Sequence, residues 1–260
     1  MNSTFQISII TPTLNAEKYI KNCICSIKKQ RNIKIQHIIV DAGSTDETLN
    51  IIEAFDNIEI YKLEGSSIYE ALNYGANFVK SPLIGFLNSD DEYTRENILF
   101  LILNQFKINK NKFQIIYGNC RFIDDKRNLL YKLIPSKRMK YIIAKIRIFN
   151  ISHPSWFITN EAFKLLDGYD IKLKYISDCD MVLRAINNRF IELKYINLDI
   201  ANFLIHNNNL SKSKSAQLEM KEYNNFFFAN FLFYTFQVFL YLGDCKYFLY
   251  RIKRFINSFN

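Results

Sequence analysis

The first third of the chain alternates between short apolar segments and stretches with helical spacing. Residues 7–10, 35–40, 58–63 and 83–87 are apolar runs that predict strands. A helix between two successive strands returns the chain to the edge of the sheet where the first strand began. The two strands that it joins therefore run parallel. Strands that are apolar throughout are typical of a sheet covered by helices on both faces. The pattern predicts an α/β protein with a mostly parallel sheet.

Polar loops follow three of these predicted strands, at residues 11–15, 41–44 and 88–91. Ligands of open α/β sheets bind outside the carboxyl ends of the strands. We therefore expect the three loops to form one binding rim. The first strand is not followed by a GxGxxG motif, and the chain contains no GxxxxGK[ST] motif. Dinucleotide-binding and P-loop classes are therefore disfavoured.

The composition is that of a globular protein with a basic excess. Hydrophobic residues make up 49%, and the formal net charge is +9, whereas disordered chains combine low hydrophobicity with high net charge. The five cysteines form no CxxC pair, which argues against a disulfide framework and a structural zinc site and favours a reducing compartment. The charge is uneven, because residues 126–147 carry eight basic side chains and no acidic one.

Two adjacent carboxylates, Asp90 and Asp91, directly follow the fourth predicted strand. Their charges repel unless a cation or hydrogen bonds offset them. Such oxygen ligands suit Mg²⁺ or Mn²⁺, which also bind substrate phosphates. A solvated turn before the next helix would give the same pattern. Asp41 has two interpretations as well, since it could bind a base or ribose or form an Asx turn.

Motifs in one order over residues 6–211 resemble the family 2 glycosyltransferases. Residues 9–15 and 37–48 resemble the family's opening, residues 68–75 its donor-site helix, and residues 85–91 its metal and diphosphate motif. Residues 153–157 resemble a histidine-containing acceptor segment, and residues 168–170 and 178–184 the segment that carries the catalytic base. The resemblance implies a GT-A fold, which has a Rossmann-like nucleotide-binding sheet with helices on both faces.

The resemblance also implies roles for individual residues. The implied donor-binding set is Thr11, Pro12, Thr13, Asn15, Asp41, Ser44, Tyr69, Asn73, Asn88 and Asp90. The implied metal ligands for Mn²⁺ or Mg²⁺ are Asp91, the stronger candidate, with Asp90 and His206, although His206 could equally be a capping histidine. Asp178 would be the general base or an N-cap. The implied acceptor-side residues are His153, Trp156, Asp180 and Arg184, the last two holding Asp178 and its loop.

The reaction implied by the resemblance is an inverting transfer from a nucleotide-diphosphate sugar, with a UDP-sugar favoured. The acceptor would be a hydroxyl of a lipid-linked or growing saccharide in polysaccharide or glycolipid synthesis. A single carboxylate base removes the proton of the acceptor hydroxyl, whereas glycosidases need a pair of carboxyl groups. Asp178 alone is therefore sufficient for the base role.

The C-terminal part of the chain differs from the rest. We expect residues 1–211 to form the GT-A domain and residues 212–260 a helical, basic and aromatic tail. The uncharged stretch at residues 224–243 approaches the ~20 residues that span a bilayer, but its polar and aromatic content favours a docked or interfacial helix. Residues 246–259 suit an anionic membrane surface or a core-packed helix. Without a signal-like start, we expect a cytoplasmic enzyme on the inner membrane face.

Three other classes compete with this interpretation. A nucleotidyltransferase predicts a glycine-rich, basic first loop, and residues 11–15 lack both features. A non-enzymatic nucleic-acid-binding module would not carry acidic rim loops, because these repel phosphate without a metal. We therefore expect no nucleic-acid partner. An inactive scaffold of the same family is disfavoured by the intact Asp41, Asp90, Asp91 and Asp178.

Overall fold

The computed structural model describes residues 5–106, 113–135, 151–206, 209 and 213–222. The chain divides into two units, Met1–Asn207 and Asn208–Asn260. In the second unit, residues 214–222 are helical. The predicted tail segments at 224–243 and 246–259, and residues 136–147 of the basic stretch, lie outside the described residues. In the part of the chain that the structure describes, no helix is both long and apolar enough to cross a membrane.

The first unit begins with the predicted alternation of strands and helices. The elements up to the fourth strand are β1 (Ile7–Thr13), α1 (Ile20–Lys28), β2 (Ile35–Asp41), α2 (Thr48–Glu53), β3 (Ile58–Lys62), α3 (Ile68–Ala76) and β4 (Leu83–Phe86). They are followed by β5 (Glu92–Tyr93), α4 (Ile98–Gln105), β6 (Gln114–Ile123), β7 (Leu129–Leu133), a 3₁₀ turn (His153–Ser155), β8 (Trp156–Thr159), α5 (Asn160–Leu165), α6 (Ser177–Asn187) and β9 (Glu192–Leu204).

These strands form one mixed sheet in the order β3-β2-β1-β4-β8-β6-β9-β5, with β7 paired to β6. The first four strands are parallel to one another, as predicted. Strand β8 then runs antiparallel to both β4 and β6, while β9 is parallel to β6. The carboxyl ends of β1, β2, β4, β6 and β9 therefore lie at the same edge of the sheet, and the α/β class with a GT-A arrangement is confirmed.

The sequence of residues 113–117 and 121–123 predicts two short strands, which the structure joins in β6. Gly118 lies between them in the strand, where a Cβ atom would come within 2.7 Å of Ile200 Cδ1 and 2.8 Å of the Leu198 carbonyl. The glycine is therefore required by the close approach of β9 and does not mark a turn. Strand β9 has no simple alternation, because it is only partly buried along most of its length.

The core lies on both faces of the parallel strands. All seven residues of β1 are buried, and Ile7 and Ile9 belong to the cluster that packs against α1 and α4. On the other face, Gly75 of α3 lies so close to β1 that a Cβ atom there would be 2.7 Å from Ile10 Cγ2. This contact sets α3 directly on the sheet, with its N-terminus at the edge where the strands end.

Candidate active site

The loops after β1 and β2 are joined by hydrogen bonds. The Asn15 backbone N–H donates to Ser44 Oγ at 2.9 Å, and Asn15 Oδ1 accepts from the Thr45 N–H at 2.9 Å. Asn15 adopts a left-handed φ of 49°, which Asn tolerates better than most residues. The two loops therefore form one surface, as predicted from their positions at neighbouring strand ends.

Asp41 is buried beneath this surface and is held by the protein itself. Its Oδ1 accepts from the N–H groups of Gly43 at 3.0 Å and Ser44 at 2.8 Å. Its Oδ2 accepts from Ser44 Oγ at 2.5 Å and Thr13 Oγ1 at 3.1 Å. The geometry is that of the Asx turn. Since a carboxylate has about four lone-pair sites, a nucleotide base or ribose would have to displace one of the two hydroxyl donors.

Two other members of the implied donor set lie inside the sheet. Thr11 is fully buried, and its Oγ1 lies 3.1 Å from His37 Nε2. Pro12 is buried and in register with Val40 of β2. Their side chains support the floor beneath the loops, whereas Asn15 is exposed.

The loop after β4 holds its two carboxylates in different environments. Asp90 Oδ2 lies 2.9 Å from His206 Nε2, with side-chain exposures of 22% and 10%. Asp91 is only 1% exposed. Its Oδ1 accepts from the Leu204 N–H at 3.2 Å, and its Oδ2 accepts from Asn88 Nδ2 at 3.4 Å. Burial, and then the charge of Asp90, raises the pKa of the Asp91 carboxyl well above its usual value.

This arrangement fits a divalent cation that is shared with a substrate phosphate. A carboxylate and an imidazole suit Mn²⁺, and Mg²⁺ in nucleotide sites takes one or two carboxylates plus phosphates and water. Among the described residues there is no group of three or more His, Cys, Asp or Glu side chains that could hold a metal alone. The sequence favours Asp91 as ligand, whereas Asp90 and His206 are the pair that the structure brings together. Asp91 is buried and is bonded to Leu204 and Asn88.

Asp178 lies in the first turn of α6, whose N-cap is Ile176. Asp178 is therefore not the N-cap, the structural alternative considered from sequence. Asp178 is partly exposed, and its Oδ1 accepts a hydrogen bond from the Tyr69 hydroxyl of α3 at 2.9 Å. Because α3 begins where β3 ends, this contact keeps Asp178 at the edge of the sheet that carries Asp41 and Asp90.

Asn73 of α3 is occupied by the loop that leads to Asp178. Its Nδ2 donates to the Tyr169 carbonyl at 2.8 Å, and its Oδ1 accepts from the Tyr169 N–H at 2.9 Å. Both atoms of the Asn73 amide thus bond to backbone in this structure, and its implied donor-binding role stays a prediction. Nearby, His153 Nε2 lies 2.9 Å from Tyr169 Oη, and burial lowers the pKa of His153, which the charge of Asp178 partly offsets.

The remaining acceptor-side candidates are structural in their contacts. Trp156 is 1% exposed, and its ring lies 5.6 Å from that of Phe86. Arg184 Nε donates to Asp180 Oδ2 at 2.6 Å, and its two terminal nitrogens donate to the carbonyls of Leu166 and Gly168. The pair therefore holds the loop before α6, as expected from their positions on that helix.

Sequence reasoning missed Tyr19, whose ring stacks on His206 with centroids 4.8 Å apart. It also assigned no role to Tyr169, which links Asn73 to His153. Tyr19 stands at the start of α1, where the sequence pattern treats it as one more apolar helix residue. Nothing in the neighbouring sequence therefore marks it as part of the site. Its partner lies beyond the end of β9, and only the sheet brings the two together.

The sequence profile of Glycosyl transferase family 2 matches residues 8–166. Since the match covers more than half of the chain and the fold and site agree with it, the chain belongs to glycosyltransferase family 2. It is 31% identical over 181 residues to an uncharacterised glycosyltransferase of Rickettsia typhi, covering 67% of this chain and 57% of that protein. It is 28% identical over 231 residues to a hyaluronan synthase of Pasteurella multocida, covering 86% of this chain and 22% of the synthase.

Among solved structures, S. aureus TarS in complex with UDP-GlcNAc has a similar fold. The TM-score is 0.63 at 21% identity, over 80% of this chain and 61% of the TarS chain. The chain therefore spans less than two thirds of the length of each of these relatives. The likeness to TarS supports the GT-A fold.

Proposed function

We propose that the protein transfers a sugar, with inversion, from a UDP-sugar to a hydroxyl of a lipid-linked or growing saccharide. The observation that carries this proposal is the set of side chains at one sheet edge. Asp90 pairs with His206 at 2.9 Å, and the partly exposed Asp178 is held by Tyr69. Together they would supply a phosphate-side cation site and one carboxylate base, the two functions that such a transfer requires.

Asp178 acts as the general base in this proposal. It removes the proton of the acceptor hydroxyl while that oxygen attacks the anomeric carbon, whose bond to the nucleoside diphosphate breaks. Asp90 and His206 would hold Mn²⁺ or Mg²⁺. When bound, the metal neutralises charge on the departing diphosphate. Orientation of the two substrates at the edge of the sheet contributes much of the remaining acceleration.

The surface built from the loops after β1 and β2 receives the nucleoside. Asn15 is exposed there, and the Ser44 and Thr13 hydroxyls can exchange their bonds to Asp41 for bonds to a base or ribose. A UDP-sugar is favoured because TarS, which shares the fold, has been solved with UDP and with UDP-GlcNAc. The likeness to a hyaluronan synthase supports a saccharide acceptor.

We further propose a cytoplasmic enzyme that binds the membrane peripherally during cell-envelope polysaccharide or glycolipid synthesis. The support is the basic segment at residues 126–147, with its eight cationic side chains and no acidic one. Anionic lipid attracts such clusters. Sedimentation with vesicles containing anionic phospholipid, at low and high salt, tests this. Binding that is absent at low salt would contradict it.

A donor screen tests the reaction itself. Nucleotide sugars that differ in base and in sugar are incubated with Mn²⁺ or Mg²⁺ and a saccharide or lipid-diphosphate acceptor, and nucleoside diphosphate release is measured. Product analysis by NMR gives the anomeric configuration. Absence of donor binding in the presence of metal would contradict the proposal. Release of pyrophosphate from a nucleoside triphosphate and a sugar phosphate would instead identify a nucleotidyltransferase.

A further inference from the structure

The phenol of Tyr69 faces Asp178, although the family resemblance places Tyr69 in the donor site. Tyr69 is 5% exposed. Its hydroxyl lies 2.9 Å from Asp178 Oδ1 and 3.0 Å from the Tyr175 carbonyl, donating to either. A hydrogen bond to an ionised carboxylate is stronger than one to a neutral carbonyl. The side chain therefore serves the segment that carries Asp178.

Helix α3 presents Tyr69 from a fixed position. Its N-terminus is closed by a capping box, in which Ser67 Oγ accepts from the Glu70 N–H and Glu70 Oε2 accepts from the Ser67 N–H. Such a box satisfies two end donors at once. Gly75 seats the helix against β1. Tyr69 is thus carried by a helix that is secured at both its start and its core-facing side.

Tyr69 and Asn73 stand four residues apart and so share a face of α3. Asn73 binds the Tyr169 backbone through both atoms of its amide, while Tyr69 binds Asp178. One helix face therefore holds both the start and the end of the segment between residues 169 and 178. The contact at Tyr69 is the one that reaches the carboxylate.

Tyr69 keeps its proton beside Asp178 and is therefore a neutral hydrogen-bond donor. Burial, and then the charge of Asp178, raises the pKa of Tyr69 well above its usual value, so its proton is retained. Burial raises the pKa values of Tyr169 and Cys179 in the same way. Burial lowers the pKa of His153, so its imidazole is neutral near pH 7.

The charged pair on the same helix as Asp178 is occupied elsewhere. Arg184 is bound to Asp180 at 2.6 Å and to backbone carbonyls of the preceding loop. The Tyr69 hydroxyl is therefore the donor that reaches Asp178 Oδ1 from another helix, while the Cys179 thiol is a second hydrogen-bond partner of Asp178 on its own helix. The carboxylate has further lone pairs for an incoming hydroxyl.

We propose that Tyr69 is a positioning residue that orients the Asp178 carboxylate for proton abstraction and is not a donor-binding residue. This inference rests on the proposed role of Asp178 as general base. It makes α3 part of the catalytic framework through a side chain that contacts neither substrate. Its effect is confined to the proton-transfer step.

The test is Tyr69→Phe in the full chain, compared with Tyr74→Phe as a matched control. Tyr74 lies on the same helix, and its ring contacts are with Tyr61 and Phe78. In Tyr69→Phe, we expect kcat for transfer to fall about tenfold, since a hydrogen bond to a charged group is worth roughly that factor or more. Donor Kd, measured by calorimetry, stays within about twofold, because the nucleoside surface is untouched.

The split between kcat and donor affinity separates positioning from general structural support. Loss of a hydrogen bond that only orients the base lowers kcat and leaves the donor Kd unchanged, whereas a disturbed fold weakens both. Tyr74→Phe keeps the wild-type values of both. An unchanged kcat in a folded Tyr69→Phe, or a donor affinity that falls as much as kcat, would overturn the positioning role.

The Asp178→Asn variant, measured in the same assays, separates failure of the Tyr69 role from failure of the proposed function on which it rests. Transfer abolished in Asp178→Asn but unaffected in Tyr69→Phe contradicts only the role of Tyr69. Transfer at the wild-type rate in Asp178→Asn contradicts the base assignment and the Tyr69 inference with it. Loss of transfer in Asp178→Asn, together with a lowered kcat and an unchanged donor Kd in Tyr69→Phe, supports both.

Discussion

His206 Nε2 lies 2.9 Å from Asp90 Oδ2 across a separation of 116 residues. The topology of the sheet explains the contact. Strand β9 is parallel to β6, which is antiparallel to β8, and β8 is antiparallel to β4. The chain therefore leaves β9 at the same edge at which it leaves β4. The imidazole and the carboxylate meet because β5, which directly follows Asp90 and Asp91, pairs antiparallel with β9, with Glu92 in register with Asn202.

This pair leads to a prediction about metal dependence. His206→Ala should raise the Mn²⁺ concentration that gives half-maximal transfer by about tenfold or more, because one of two protein donors is lost. The measurement is a Mn²⁺ titration of the transfer rate. Glu92→Gln is the control, since Glu92 is a neighbouring carboxylate already paired with Arg127 at 2.9 Å. An identical Mn²⁺ requirement in both variants would remove His206 from the metal site.

The role of Asp178 predicts a separation of binding from chemistry. Asp178→Asn keeps the size of the side chain but cannot accept the acceptor proton, so transfer should fall by about 10²- to 10⁴-fold. Donor Kd should remain near the wild-type value. Calorimetric donor binding and single-turnover transfer check the two parts. If donor binding weakens as much as transfer, Asp178 contributes to donor binding and is not the base.

Gly168, in the loop before Asp178, is a position where a side chain should destabilise the fold. Gly168 has a φ of +64°, and a Cβ atom there would lie 2.7 Å from Asn73 Oδ1. Gly65→Ala is a matched control, because Gly65 has a φ of +72° and nothing within 4 Å of such a Cβ atom. Left-handed backbone alone costs about 1–2 kcal/mol for a residue with a Cβ atom.

Gly168→Ala should therefore lower the free energy of unfolding by about 1 kcal/mol or more beyond the loss in Gly65→Ala, since it also disturbs the Asn73–Tyr169 hydrogen bonds. Urea denaturation of both variants measures this difference. Equal losses would mean that Asn73 moves aside without cost and that its contact with Tyr169 is weak.

The buried His37 should lower the free energy of unfolding of the protein in acid. Burial, followed by the charge of Lys28, lowers the pKa of His37 to about 3 in the folded protein, against about 6.5 in an unfolded chain. Below pH 6.5 the unfolded chain binds a proton that the folded protein does not. Stability from this group is complete above pH 6.5 and falls by about 1.4 kcal/mol per pH unit towards the folded pKa.

The measurement is the free energy of unfolding of wild type and His37→Gln between pH 7 and pH 4.5. The difference between the two proteins removes the contributions of other titrating groups, including His153. We expect the wild type to lose about 2–3 kcal/mol more than the variant over this range. Parallel pH curves would show that His37 is accessible to protons in the folded protein.

Local patterns in the sequence predicted the alternation of β1 to β4 with their helices and the polar loops at the strand ends. These features depend on residues close together in the chain, so periodicity reveals them. The same patterns divided β6 at Gly118 and gave no indication of β7, β8 or β9. Those strands pair with distant partners, and their partly polar faces carry no simple alternation.

The sequence by itself determined the α/β class, the order of the motifs and the residue types of the site, since these follow from local spacing and side-chain chemistry. Tertiary structure alone decided which side chains meet. It paired His206 with Asp90 rather than with Asp91, and it directed Tyr69 to Asp178 across 109 residues. Such contacts depend on the order and direction of strands in the sheet, and no local pattern encodes them.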